Sequence, residues 1–240
     1  MADMTTYQLI VASTPEDLAR QVAERVAAVI DLALAQRDRA QIALAGGETP
    51  KAAYGLLGRV HLPWNRVDVL LGDERWVDAA DPASNARMLH ETLLAQGPAS
   101  QACFHPVPTA QPTPALSAEA YSSILSQVCA GDPPRFDLVL LGLGDDGHTA
   151  SLFPGTAAAM VTDRFVTIGE GKGLPRITLT APVLSAARQV IFLVSGANKQ
   201  QALRRLLDPE ELVERTPARL VQPGQTVVIL SDAAAADGLA

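Results

Sequence analysis

The chain is poor in cysteine. Its 240 residues hold two, Cys103 and Cys129, in no CxxC or other metal-ligand spacing. Neither a disulfide framework nor a thiolate metal site is expected, and both are read as reduced thiols. The chain is also poor in positive charge: 19 Lys and Arg against 26 Asp and Glu give a formal charge of −7. A nucleic-acid surface needs clustered cations, so that class of partner is excluded. An anionic small molecule is not, because a few placed cations and free backbone N–H groups suffice. Lysine is scarcest, with only Lys51, Lys172 and Lys199, a bias read as genomic base composition. No stretch nears the ~20 apolar residues of a membrane span. The start, MADMTTYQLIVAS, has neither the basic cluster nor the apolar run of a signal peptide. A cytoplasmic protein with no membrane partner is the expectation. There is no internal repeat and no low-complexity tract.

What is present is an alternation of short apolar runs and helical patterns. Apolar residues make up 48% of the chain, enough for a sizeable core. YQLIVAS (7–13) reads as a strand. Thr14-Pro15-Glu16-Asp17 reads as a helix start, with a hydroxyl cap, Pro at the first helical position and acids in the first turn. Leu18, Val22, Val26, Ile30 and Leu34 continue it as one apolar stripe. Further strands are expected at 41–45, 66–71, 136–142, 165–168, 176–180, 190–196 and 226–230. Helices are expected near 50–58, after Ser84, near 117–129 and at 198–207. Five prolines from Pro98 to Pro114 make 97–116 mostly loop, and the Ala-rich stretch 233–240 is expected to fray. Several strands are apolar on both faces, which fits the middle of a mostly parallel sheet covered by helices on both sides. One α/β domain over 1–240 is expected.

Ligands of such sheets bind beyond the carboxyl ends of the strands, and four strand ends carry unusual residues. Ala45-Gly46-Gly47-Glu48-Thr49-Pro50 leads from a strand into a helix; its glycines, free N–H groups and the Thr49 hydroxyl suit a phosphate. Gly72-Asp73-Glu74-Arg75-Trp76 places three charges at a central strand end. Arg75 can hold an anion bidentately or polarise a carbonyl, with Asp73 or Glu74 orienting it or meeting sugar hydroxyls. Gly144-Asp145-Asp146-Gly147-His148 sets a histidine beside two carboxylates, the composition of a general base near neutral pH. Arg176, and Lys199 in Gly-Ala-Asn-Lys, add one cation each. Gly142-x-Gly144-x-x-Gly147 also matches the dinucleotide-binding pattern. That pattern needs a full helix next, and Pro154-Gly155 interrupt one within two turns, so no nicotinamide site is expected.

Taken in order, LAGGETP (44–50), GDERWVDAADPASN (72–85), FDLVLLGLGDDGHTASLFPG (136–155), PRITLTAPVL (175–184) and VSGANK (194–199) resemble the glucosamine-6-phosphate deaminase/6-phosphogluconolactonase group. Deaminases typically carry Phe-Asn-Glu-Pro after Asp-Gly-His; Ser151-Leu152-Phe153-Pro154 stands here and favours the lactonase branch. Ala45, Glu48, Asp78 and Ser185 depart from the lactonase pattern, and Glu48 is expected to point away from any phosphate. The resemblance implies a three-layer, Rossmann-like fold and a monomer. It implies hydrolysis of 6-phospho-D-glucono-1,5-lactone to 6-phosphogluconate in the oxidative pentose phosphate pathway, with neither metal nor redox cofactor. His148 would be the general base, Asp146 its orienting acid and Arg75 the oxyanion or sugar ligand. Gly46, Gly47, Thr49, Asp73, Arg176 and Lys199 would bind the substrate and its phosphate. A non-catalytic sugar-phosphate sensor on the same fold is the competing class.

Overall fold

A computed structural model describes residues 5–239; Met1 to Met4 of the chain start and Ala240 lie outside it. The chain runs β1 (Tyr7–Ala12), α1 (Pro15–Gln36), β2 (Ala40–Leu44), α2 (Lys51–Leu57), β3 (Val67–Leu71), β4 (Asp73–Arg75), α3 (Asn85–Leu89) and β5 (Cys103–Phe104). It continues through α4 (Pro114–Val128), β6 (Leu138–Gly142), β7 (Val166–Gly171), β8 (Leu174–Leu179), α5 (Ala181–Ser185), β9 (Val190–Val194), α6 (Gln200–Leu207), β10 (Val227–Asp232) and α7 (Ala233–Ala236). The expected start of α1 is found: Thr14 Oγ1 accepts the Asp17 N–H at 3.0 Å, ahead of Pro15.

Seven strands form one sheet in the order β1-β10-β9-β6-β2-β3-β5, and every neighbouring pair is parallel. The inner strands β3 and β9 are buried at every position, as strands covered on both faces must be. This is the expected three-layer α/β arrangement. From β2 the chain moves outward to β3 and β5; from β6 it moves the other way to β9 and β10. The gap between the ends of β2 and β6 is therefore the topological switch point, where a crevice opens.

One expectation is corrected and one strand is added. No strand is expected within 72–76, but β4 joins β8 and β7 in a second, antiparallel sheet in the order β4-β8-β7. Gly72 links the two sheets, its N–H donating to Leu44 O at 3.1 Å and its carbonyl accepting from Leu179 N at 2.9 Å. The Pro-rich segment is mostly loop, as expected, and holds the two-residue β5 paired with β3 and the start of α4 at Pro114. Among the described residues, the stretch after β10 does not fray; Ala240 lies outside them. Asp232 caps α7 by accepting the Ala235 N–H at 2.8 Å, and Ala235 and Ala236 are buried.

The opposite end of the parallel sheet is tied by ion pairs. Asp68 accepts from Arg39 at 2.7 and 2.8 Å and contacts His105, while Asp137 accepts from Arg37 at 2.7 Å. At the carboxyl end, the buried Tyr121 hydroxyl stands where β3 leaves the sheet. It accepts from Leu71 N at 3.0 Å and donates to Leu71 O at 2.8 Å, satisfying a backbone pair that would otherwise be orphaned.

Candidate active site

A cleft of about 210 Å³ lies over the switch point. One wall is the turn after β6. Gly144 N donates to His148 O at 2.8 Å, Gly147 N to Gly144 O at 3.0 Å, and Thr149 Oγ1 back to Gly142 O at 2.8 Å. Gly147 has φ +94, in the region glycine favours, and a Cβ on Gly144 would fall 2.0 Å from His148 Nδ1. The Gly-x-Gly-x-x-Gly run is thus a turn that delivers a histidine. No helix follows it; Thr149 and Leu152 form an isolated bridge.

Asp146 Oδ1 accepts the His148 backbone N–H at 3.0 Å and lies 2.5 Å from Nδ1. An ionised carboxylate only accepts, so the ring proton sits on Nδ1 and Nε2 keeps its lone pair. The ring lines the cleft and packs on Phe153, with centroids 4.3 Å apart. Burial pushes the imidazole below its ordinary pKa, and the neighbouring Asp146 offsets this only in part. For Asp146 the order reverses: burial raises its pKa, but the bonds from His148 outweigh that and hold it low. The outcome is a neutral imidazole against an ionised carboxylate.

The facing wall comes from β2, β4 and α3. Gly46, Gly47 and Thr49 line the cleft, and Gly47 has φ +98. Glu48 points outward as expected: its side chain is 87% exposed and accepts from Lys51 Nζ at 2.6 Å. Asp73 Oδ2 accepts from the buried Ser151 hydroxyl at 2.5 Å and stands 3.7 Å from Arg176 Nη1. Arg176 also lies with Cζ 5.4 Å from the Phe153 ring centre. Arg75 lines the cleft, but neither Asp73 nor Glu74 orients its guanidinium. Ala83 O accepts from Nη1 at 2.5 Å, and the buried Nε has no partner. Glu74 turns away and accepts from Arg75 N, Asn85 N and Ala86 N, each at 2.7 Å, and from Ser84 Oγ at 3.2 Å. It is a structural clasp for the start of α3. Burial raises its pKa against those donors.

Eight of the nine residues expected at a site line this cleft: Gly46, Gly47, Thr49, Asp73, Arg75, His148, Arg176 and Lys199. The ninth, Asp146, sits behind His148. Three further polar side chains line the cleft without having been expected. Asn85 is buried, donates from Nδ2 to Asp73 O at 2.9 Å and leaves Oδ1 unpartnered; its carboxamide occupies the space a Cβ on Gly46 would need, 1.9 Å away. Lys172 sits at the tip of the β7–β8 hairpin with φ +54. Ser195 follows β9. Only the scarcity of lysine could have flagged Lys172. Among the described residues, no three His, Cys, Asp or Glu side chains converge in metal-binding geometry.

A family model described as glucosamine-6-phosphate isomerases/6-phosphogluconolactonase matches residues 13–230. A 6-phosphogluconolactonase from Synechocystis sp. is 47% identical, over 88% of this chain and 89% of that protein. The solved structure of 6-phosphogluconolactonase from Trypanosoma brucei superposes with a TM-score of 0.87 at 31% identity, covering 98% of this chain and 100% of the other. A monomeric glucosamine-6-phosphate deaminase superposes at 0.80 over 95% of this chain and 98% of its own, but at 21% identity, which shows a common fold alone. On its sequence and its superposition alike, the chain belongs to the glucosamine-6-phosphate isomerase/6-phosphogluconolactonase family.

Proposed function

We propose that this chain is a 6-phosphogluconolactonase, hydrolysing 6-phospho-D-glucono-1,5-lactone to 6-phosphogluconate with His148 as general base. One observation carries the mechanism: His148 is held by Asp146 through Nδ1 while its ring faces the cleft shared with the glycine loop and the cations. The names of the relatives support the substrate. The 6-phosphate lies against Gly46, Gly47 and Thr49, with Lys199 and Arg176 supplying charge. Anchoring it fixes the lactone carbonyl near His148. Nε2 takes a proton as water attacks that carbonyl, and the tetrahedral intermediate then expels the ring oxygen, which takes the proton from Nε2. Arg75, which lines the cleft, donates to the developing oxyanion. Asp73, which lines the cleft, meets sugar hydroxyls.

The family's deaminases are the neighbouring alternative. Leu152 is fully buried here and Phe153 packs beneath His148, so no carboxylate occupies those positions. The continuous core cluster, which includes residues of both sheets, supports treating residues 1–240 as one domain.

The test is lactone hydrolysis measured above the spontaneous background. His148→Ala should lose about 10²–10⁴ in kcat, the usual worth of a positioned acid–base group. A variant as fast as the parent removes His148 from the mechanism. Ammonia release from glucosamine 6-phosphate, assayed in parallel, should be absent; clear turnover would overturn the substrate assignment.

A further inference from the structure

Asp232 ends β10, next to β9 in the parallel sheet. It does not line the cleft, and among the described residues no cation pairs with it within 4.0 Å. Both its oxygens are directed at backbone and hydroxyl donors. Oδ2 accepts from Ser195 Oγ at 2.6 Å and from Gly196 N at 2.9 Å; Oδ1 accepts from Gly196 N at 3.2 Å and from Ala235 N at 2.8 Å. Ser195 is in the cleft wall. Gly196 has φ +100, and its carbonyl accepts from Lys199 N at 2.9 Å, closing the single 3-10 turn (Ala197–Lys199) that presents Lys199. Gln200 Nε2 adds a second tie to the same region by donating to Ala234 O at 2.9 Å.

We propose that Asp232 is a positioning residue of the active site, one that fixes the Ser195–Gly196 turn and, through it, the location of Lys199 on the anion side of the cleft. A lysine ammonium rides on a flexible four-carbon stem, so the backbone beneath it decides where its charge can be held. Hydrogen bonds from backbone N–H groups to a carboxylate are among the stronger ones available to a turn. Without Asp232, the Gly196 N–H and the Ser195 hydroxyl lose their acceptor, and the left-handed geometry at Gly196 loses its support. The segment 232–236 then ceases to frame the site, although the sheet in front of it is intact. The inference rests on the reading of Lys199 as a phosphate ligand.

The experiment uses the full chain with Asp232→Ala, Asp232→Asn, Ser195→Ala and Lys199→Ala. It measures kcat and KM for the lactone, competitive inhibition by inorganic phosphate, and melting temperature. Asp232→Ala should raise KM about tenfold, the scale of a displaced charged contact. Its kcat should stay within about twofold, and phosphate should weaken in parallel, as expected when a binding group alone is disturbed. Asp232→Asn, which keeps one acceptor oxygen, should fall between. Combining Asp232→Ala with Lys199→Ala should add little to Lys199→Ala alone, a non-additivity that general destabilisation does not produce. A folded Asp232→Ala with the parent's KM and phosphate inhibition overturns the proposal, as does a loss confined to kcat. If Asp232→Ala does not fold, Ser195→Ala decides by the same readout with a smaller expected rise, and an unchanged KM overturns it. An unchanged KM in Lys199→Ala instead overturns the phosphate reading. A raised KM there, with none in Asp232→Ala, leaves that reading standing and removes only the role of Asp232.

Discussion

His148 works in the proposed reaction only while neutral. Its burial lowers the pKa from the ordinary 6.5, Asp146 and Asp73 pull it up, and Lys172 pushes it down. The base form is lost as pH falls through that pKa, so kcat/KM should rise with pH and level off, with a midpoint below 6.5. The neighbours shift the midpoint in opposite senses. Asp146→Asn removes an anion that favours imidazolium and should lower it, while also lowering the plateau, because the ring loses its tautomer lock. Lys172→Gln removes a repelling cation and should raise it. Profiles of kcat/KM against pH decide; a midpoint that ignores both changes would place another group in control. At this scale the sequence was readable where a residue's chemistry is intrinsic to it. A histidine after a buried strand, or an arginine beside two acids, announces itself. Asn85 does not. Its place depends on Gly46, 39 positions away, meeting its carboxamide. Glu74 misled for the same reason: its carboxylate turns toward backbone N–H groups that no spacing along the chain reveals.

Among the elements, the parallel strands were legible because each is a short apolar run bounded by turn residues. The second sheet was legible only in part: β7 and β8 stand where strands are expected, and β4 does not. β4 is three residues long and charged throughout, and its partner β8 lies about a hundred residues further on, so no local pattern marks it. The β7–β8 hairpin nonetheless shapes the site. Gly169 and Gly171 lie flat on the segment after His148: a Cβ at Gly171 would meet Phe153 Cε2 at 2.3 Å, and one at Gly169 would meet Ser151 O at 2.7 Å. Phe153 in turn contacts both His148 and Arg176. Gly171→Ala should therefore push the ring aside, and kcat/KM should fall by roughly 10- to 100-fold through misplacement of groups it never touches. The fold should lose only about 1–3 kcal/mol, the usual cost of local overpacking. Steady-state kinetics beside a thermal melt separate the two effects; parent-like kinetics would show that the hairpin is mere cover.

The whole molecule carries −7, yet Arg75, Arg176, Lys172 and Lys199 all line one cleft. An anionic substrate thus meets long-range repulsion from the body and short-range attraction at the mouth. Salt screens both over a Debye length of ~10 Å at 0.1 M. In the cleft the close contacts dominate, so KM should rise with added sodium chloride while kcat stays level; a KM that falls with salt would mean that repulsion by the body controls binding. Composition could yield the net charge but not this separation of signs, which exists only once the strand ends are gathered. The described residues also include no helix long and apolar enough to cross a membrane.

The gathering has a practical side. The exposed loop 110–113 divides the chain so that Gly46, Gly47, Asp73 and Arg75 fall in one piece, and Asp146, His148, Arg176 and Lys199 in the other. Both sheets are also stitched across that division, β2 to β6 in one and β4 to β8 in the other. Neither fragment holds a base together with an anion cradle, and each leaves strand edges that only the other can satisfy. The loop is thus a natural place to split the gene for a complementation reporter, silent in either half and switched on when two fused partners bring the halves together.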